Sequence, residues 1–175
     1  MRKIILFIAC SLDGYIAREN GSVDWLFTDA DYGYSKFYKS IDTMIMGRKT
    51  YEKALELGDH SYNAKKWYVF TRAPESKKDA NVEFITDIVP FVRKLKEAEG
   101  KNIWLVGGSE IISLLLAANL LDELIISIHP IILGKGIPLF RKMEKQTKLK
   151  MLRTVSYKSG LVKIHYKTAK HRRTY

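Results

Sequence analysis

The sequence predicts an α/β protein: a mixed, mostly parallel sheet with helices on both faces and a C-terminal antiparallel hairpin. Three observations carry this. Apolar runs of strand length recur with helical patterns between them, the arrangement of parallel βαβ units. The first run, Ile4 to Ala9, is continuously apolar, as expected of a strand covered on both faces. Near the end, Val155, Tyr157, Val162, Ile164 and Tyr166 alternate around Lys158-Ser159-Gly160, the pattern of a half-buried hairpin with a tight turn.

Each element follows in chain order. After Ile4 to Ala9, Tyr32 to Ser40 reads as a short aromatic helix. Thr43 to Met46 is a second buried strand, broken at Gly47, with a helix from Lys49 to Leu57. Lys66 to Thr71 is a third strand and Val82 to Thr86 a fourth. Asp87 suits the N-cap of a helix that runs to Glu99 and stops at Gly100. Ile103 to Val106 is a fifth strand, after which Gly107-Gly108-Ser109 opens a helix through Asn119. Leu124 to Leu133 is a sixth, and strands at 149–157 and 161–168 complete the hairpin. With no repeat, low-complexity segment or linker, residues 1–169 read as one domain and 170–175 as a basic C-terminal tail.

The 175 residues suffice for one domain with a sizeable core. An apolar share of 46% and a charged share of 28% exclude a disordered chain, a collagen-like fibre or a coiled coil. Cys10 is the single cysteine, so an intrachain disulfide and a cysteine-based zinc site are excluded, and a reducing cytoplasm is the expected location. The apolar stretch after Met-Arg-Lys is too short for a signal peptide, and no run approaches the roughly 20 apolar residues that span a bilayer. The expected protein is soluble, with no membrane partner.

The net charge of +11 is unevenly placed. Residues 1–144 carry 20 Lys/Arg against 19 Asp/Glu, whereas residues 145–175 carry ten Lys/Arg and no carboxylate. Such a segment could be a nucleic-acid-binding arm. The alternation within it favours a solvated outer face on the hairpin, so nucleic acid is not the expected partner. His60, His129, His165 and His171 show no metal-ligand spacing, and His129, before Pro130, reads as a strand-core residue.

Open α/β sheets bind ligands at the carboxyl ends of their strands. Three such ends carry groups suited to phosphate. Met46-Gly47-Arg48-Lys49-Thr50 joins a glycine, two cations and a helix N-terminus. Val106-Gly107-Gly108-Ser109-Glu110 lets backbone approach a pyrophosphate closely. Phe70-Thr71-Arg72 offers a hydroxyl and a guanidinium to a phosphate monoester. Neither a P-loop nor the usual dinucleotide fingerprint is present.

These segments resemble a known family. Ala9-Cys10-Ser11-Leu12-Asp13-Gly14-Tyr15-Ile16-Ala17 looks like the opening strand and loop of the dihydrofolate reductase-like fold, in the version of the C-terminal reductase domain of bifunctional riboflavin-biosynthesis proteins. Met46 to Glu52, Val106 to Glu110, and Asp122 to Leu124 with Pro130 to Phe140 are similar to that family's later motifs, in the right order, across residues 4 to 167. The resemblance implies an NADPH-dependent reductase acting on a C=N or C=O of a pterin-, pyrimidine- or related heterocyclic substrate. It would set Ala9 and Ile16 against the nicotinamide, and Gly47, Arg48, Lys49 and Thr50 against phosphates. Thr71 and Arg72 would take the 2′-phosphate, and Gly107, Gly108, Ser109 and Glu110 the pyrophosphate. Members of the riboflavin type are often dimers, so a homodimer is expected; the apolar segment Ile125–Leu133 reads either as an edge suiting its interface or simply as a central strand.

Two departures narrow this. The zinc deaminase of the bifunctional proteins needs cysteines that this chain lacks, leaving the reductase half. Between Glu19 and Met46 only Lys36 and Lys39 stand against Asp24, Asp29, Asp31 and Asp42, which argues against an anionic substrate. Asp31 or Asp29 could hold a pterin edge or supply a proton, Trp25 could stand closest to the nicotinamide, and Asp13 could act in catalysis or turn its loop through Gly14. Trp25 to Phe27 and Tyr32 to Tyr38 form an aromatic cluster that reads as one helix packing or as a wall for a flat ring. An NADPH-binding protein without turnover is the rival reading.

Overall fold

Continuous apolar runs need cover on both sides, and the described residues supply it with four helices around one large sheet. In a computed structural model, residues 1–58, 65–73 and 81–169 are described. The strands are Ile4–Ser11 (β1), Tyr15–Ala17 (β2), Ile41–Gly47 (β3), Lys66–Phe70 (β4), Val82–Ile85 (β5), Asn102–Gly107 (β6), Glu123–His129 (β7), Ile137–Pro138 (β8), Leu149–Ser156 (β9) and Val162–Thr168 (β10). The helices are Tyr34–Lys39 (α1), Arg48–Glu56 (α2), Ile88–Glu97 (α3) and Ser109–Ala117 (α4). The main sheet runs β5-β4-β3-β6-β1-β7-β10-β9. Its first six strands are parallel, and β10 and β9 add the antiparallel hairpin. This is the mixed fold the sequence predicts.

The period of two sorts β1 between two cores. Ile4 and Leu6 pack with Ile45, Leu105 and Leu124 beneath Val92 of α3 and Ile112 and Leu115 of α4. Ile5 packs with Met44, Met46, Trp67 and Trp104 beneath Phe37 of α1, with Tyr51 and Ala54 of α2 alongside. Helices therefore cover both faces. The hairpin is covered less: most of β9 is exposed on both faces, and it forms one edge of the sheet.

Several boundaries differ from expectation, each for a physical reason. β7 stops at His129 rather than Leu133, because Pro130 has no N–H to continue the ladder. β7 also lies between β1 and β10, so Ile125–Leu133 is not a free edge and offers no strand-edge interface. Asp87 sits at the N-cap position of α3 without a side-chain cap bond. Two short strands were not anticipated: β2 and β8 pair antiparallel and fasten the first loop to the segment after β7. His60, His171 and the 170–175 tail lie outside the described residues.

The amino end of the sheet is closed by buried ions. Arg2 donates to Asp42, to the Thr43 hydroxyl at 2.7 Å and to the Lys101 carbonyl at 2.6 Å. Lys96, buried on α3, donates to Asp122 and to the Leu120 carbonyl at 2.9 Å, while Asp122 also accepts the Ile4 N–H at 2.9 Å. Glu123 accepts from Lys3 and meets His165, each at 2.8 Å. Burial opposes its charge, but those two partners outweigh burial and hold its carboxyl below the usual range.

Removing one partner of a buried pair strands the other in low dielectric. Lys96→Met should therefore destabilise the fold by about 3 kcal/mol. Urea unfolding checks this as a lower midpoint at unchanged slope. A midpoint within error of wild type would show that solvent already compensates Asp122.

Candidate functional site

The carboxyl ends of β3 and β6 lie side by side, but the helices that follow them depart to opposite faces, α2 to one core and α4 to the other. Such a divergence makes a crevice of the kind in which open α/β sheets hold ligands. Each helix starts from a glycine, Gly47 or Gly108, and neither has a side-chain cap bond. Uncapped first-turn N–H groups and the positive ends of two helix dipoles favour an anion there. The two loops are tied together, since the Gly108 N–H donates to Thr50 Oγ1 at 3.1 Å.

The adjacent glycines differ. Gly107 has φ 145°, a backbone that L side chains rarely adopt, whereas Gly108 has φ −50°. A Cβ on Gly108 would stand 3.4 Å from Thr50 Oγ1, ordinary contact. Gly107 is thus needed for conformation, while Gly108 leaves open the space its missing side chain would fill. Ser109, buried at the start of α4, donates its hydroxyl to the Pro138 carbonyl and anchors β8 beside the crevice.

A second opening lies next to the first. β1 pairs with β6 only from Ile4 to Leu6, yet stays paired with β7 through Ser11. Beyond Leu6 the backbones of β1 and β6 no longer pair, the Phe7 carbonyl accepting instead from the Trp104 indole N–H at 3.0 Å, and Phe7, Ile8 and Ala9 are partly exposed although β1 is an interior strand. Ile16 of β2 packs with Ile8 against the α4-side core.

The expected phosphate residues divide into groups. Gly47, Thr50, Gly107, Gly108 and Ser109 meet at the crevice. Arg72, almost fully exposed, pairs with Glu110 of α4, which also has Arg141 at 3.9 Å. Arg48 is drawn along its own helix to Glu52 at 2.8 Å, and Lys49 is exposed. Thr71 is buried and accepts the Ala73 N–H at 3.3 Å while donating to the Ala73 carbonyl at 3.0 Å.

The loops over the β1 opening hold the remaining candidates. Asp13 accepts from the Ser11 hydroxyl at 2.6 Å and from the Leu133 and Gly134 N–H groups at 3.1 and 2.8 Å. These bonds, the Ser11 hydroxyl foremost, lower its pKa and pin the first loop to the segment after β7. Asp31 accepts from Ser35 Oγ at 2.6 Å, Ser35 N–H at 2.9 Å and Gly33 N–H at 3.0 Å, so its carboxylate organises the start of α1. Ser35 foremost lowers its pKa, which suits an anion rather than a proton donor.

The aromatic residues do not form one helix face, as one reading had it. Trp25 and Phe27 pack against His129, and Tyr32 packs edge-on against Tyr157 of the hairpin, leaving Tyr34, Phe37 and Tyr38 on α1. Helix α1 starts at Tyr34 because Tyr32 and Gly33 adopt positive φ. Trp25 is buried, yet its indole N–H has no hydrogen-bond partner among the described residues. His129, read from sequence only as core, also anchors this loop: its Nε2 accepts the Phe27 N–H at 3.2 Å. Burial pushes its pKa down, consistent with a neutral ring carrying its proton on Nδ1. Its position at a strand's carboxyl end was the available signal.

Comparison with known proteins bears on these features together. A family model described as the RibD C-terminal domain matches residues 2–163. The uncharacterized protein YwjB of Bacillus subtilis is 43% identical over 170 residues, covering 94% of this chain and 97% of that protein. A putative riboflavin biosynthesis protein from Shewanella superposes with a TM-score of 0.85 at 27% identity, over 96% of this chain and 99% of the other. Dihydrofolate reductase from Enterococcus faecalis, complexed with NADP(H), superposes with a TM-score of 0.72 at 18% identity, over 96% and 97% of the two chains, and so shares the fold. An opened β1–β6 seam beside two glycine-started helices, spread over a chain that one family description covers almost from end to end, leads to one conclusion: the protein belongs to the RibD C-terminal domain family and has a dihydrofolate reductase-like fold.

Proposed function

We propose that the protein is an NADPH-dependent reductase of a heterocyclic substrate, a pterin, pyrimidine or related ring bearing a C=N or C=O. The observation that carries this reading is the crevice where two uncapped helix N-termini meet beside the parted β1 and β6 strands. A dinucleotide suits it: paired phosphates need two sets of backbone donors, and a flat ring needs a gap in the sheet next to them. When bound, NADPH supplies the hydride.

The chain's own residues bind and orient. The backbone at Gly107, Gly108 and Ser109 receives the pyrophosphate, with Gly47, Lys49 and Thr50 across the crevice. Arg48 approaches from the surface. Arg72, near Thr71, receives the 2′-phosphate, and Glu110 aims its guanidinium rather than touching phosphate. Ala9 and Ile16 flank the ring. The buried Trp25 N–H, without an acceptor among the described residues, would serve a polar atom of the substrate only if the loop gave access to it. Asp13 and Asp31 act by holding their loops. The reducing cytoplasm remains the proposed setting, and a homodimer the proposed assembly.

The glycine pair separates cofactor binding from mere turn formation. Gly107→Ala should cost about 1 kcal/mol or more of stability, from positive φ alone. Gly108→Ala should leave stability unchanged or raise it slightly, yet weaken NADPH about tenfold or more by filling the space phosphate needs. Thermal unfolding and NADPH titration of both variants measure this, and undiminished affinity in Gly108→Ala would refute the crevice as the pyrophosphate site.

Arg72 tests cofactor choice. Arg72→Ala should weaken NADPH by about 1.5 kcal/mol, the low end for a hydrogen bond to a charged group, because the guanidinium is exposed and shared with Glu110. NADH affinity should be unmoved. Equal losses for both would remove Arg72 from the 2′-phosphate.

A further inference from the structure

The cations missing from the first loop are supplied by the other end of the chain. In the sheet, Ala9 of β1 lies beside Ser127 of β7, Ser127 beside Lys163 of β10, and Lys163 beside Val155 of β9. The next row toward the amino end runs Phe7, Ile125, His165 and Arg153. Phe7 and Ile125 pack on the α1 side, so Lys163, His165 and Arg153 share that face. Phe7, Ile125 and Lys163 are partly exposed, although β1, β7 and β10 are interior strands, while Ser127 between them is buried, so this part of the sheet is incompletely covered.

Lys163 is placed with care. Its ammonium donates to the Tyr32 carbonyl at 2.5 Å and stands 5.5 Å from the Tyr157 ring centroid. No carboxylate among the described residues comes within ion-pair distance of it. Asp31 acts on it only through space. Gly33, at the start of α1, has φ 82°, a conformation that favours glycine in itself, and a Cβ there would come 2.7 Å from the mobile end of the Lys163 side chain. One carbonyl satisfies one of its three N–H donors, leaving two. The acidic residue on this face, Glu123, is engaged by Lys3 and His165. Arg153 makes no ion pair among the described residues.

We infer that Lys163, assisted by Arg153, binds an anionic oxygen group of the substrate, a carboxylate or a phosphate, and so sets which heterocycles enter. This rests on the reductase reading, because it takes the opening beside Ala9 as the place where the reacting ring lies. It runs against the argument from the first loop, whose few cations speak against an anionic substrate. A plain structural clamp on Tyr32 is the competing role for Lys163, and it would leave anions unbound.

The test uses the whole chain with NADP⁺ at saturation, so that the dinucleotide's own phosphate positions are filled. Inorganic phosphate and acetate are then titrated separately at constant ionic strength by calorimetry. The expected result is saturable binding of one of them, phosphate pointing to a phosphorylated substrate and acetate to a carboxylic one. Lys163→Gln keeps a donor for the Tyr32 carbonyl but removes the charge. It should weaken that anion about tenfold or more, as loss of a charge-assisted hydrogen bond does. Arg153→Ala, on the exposed edge strand, should weaken it to a smaller degree without touching the fold. No saturable binding of either anion, or equal binding by wild type and Lys163→Gln, overturns the inference and leaves the reductase reading standing. Failure of NADP⁺ itself to bind, seen in the first titration, overturns both.

Discussion

The site depends on how briefly β1 is shared. An interior parallel strand normally hydrogen-bonds to both neighbours along its length, but β1 holds β6 for three register pairs and β7 for seven. The strand is thereby fixed on one side and released on the other. Without that release the sheet would be closed, and the glycine-started helices would adjoin a surface with no gap to receive a ring. The β2–β8 pair, Asp13 and Ser109 then keep the loops from collapsing into the gap, since each ties a loop to a partner beyond it.

Charge is segregated along the strands. The amino end of the sheet is sealed by the buried cations Arg2 and Lys96, paired with the part-exposed Asp42 and with Asp122. At the carboxyl end the cations Arg48 and Arg72 engage carboxylates on or near the surface, where exchange for a ligand's oxygen is cheaper. Buried pairs specify the fold, and exposed ones can be traded.

The sheet was legible because Ile4, Ile45, Leu105 and their neighbours form unbroken apolar runs that only a strand covered on two faces explains. The place where the chain leaves the sheet was legible for a related reason: Gly47 and Gly108 each follow an apolar run and precede a helical pattern, although either glycine alone reads as readily as a tight turn. What was not legible depends on contacts distant in sequence. Nothing near Asp31 reveals that its oxygens would be taken by Ser35 and Gly33, and nothing near Lys163 reveals Tyr32, 131 positions earlier. Whether Ile125–Leu133 was an interface edge or a central strand stayed open in the sequence, because a run's apolarity does not say how many strands will flank it. His129 was read correctly as core but not as an anchor, since its partner Phe27 comes from another loop.

The hairpin's edge carries a further consequence. Among the described residues, β9 offers eight residues of backbone along one side without a neighbouring strand, with Leu149, Met151 and Leu152 well exposed. Such an edge is a template for cross-molecule strand addition and aggregation. Lys150 and Arg153 are spaced along it as gatekeepers, and the absence of acidic residues after position 144 makes two approaching edges repel. Colloidal stability of the protein is therefore tied to ionic strength: salt that screens these charges lowers the barrier to edge-to-edge association, while dilute buffer preserves it.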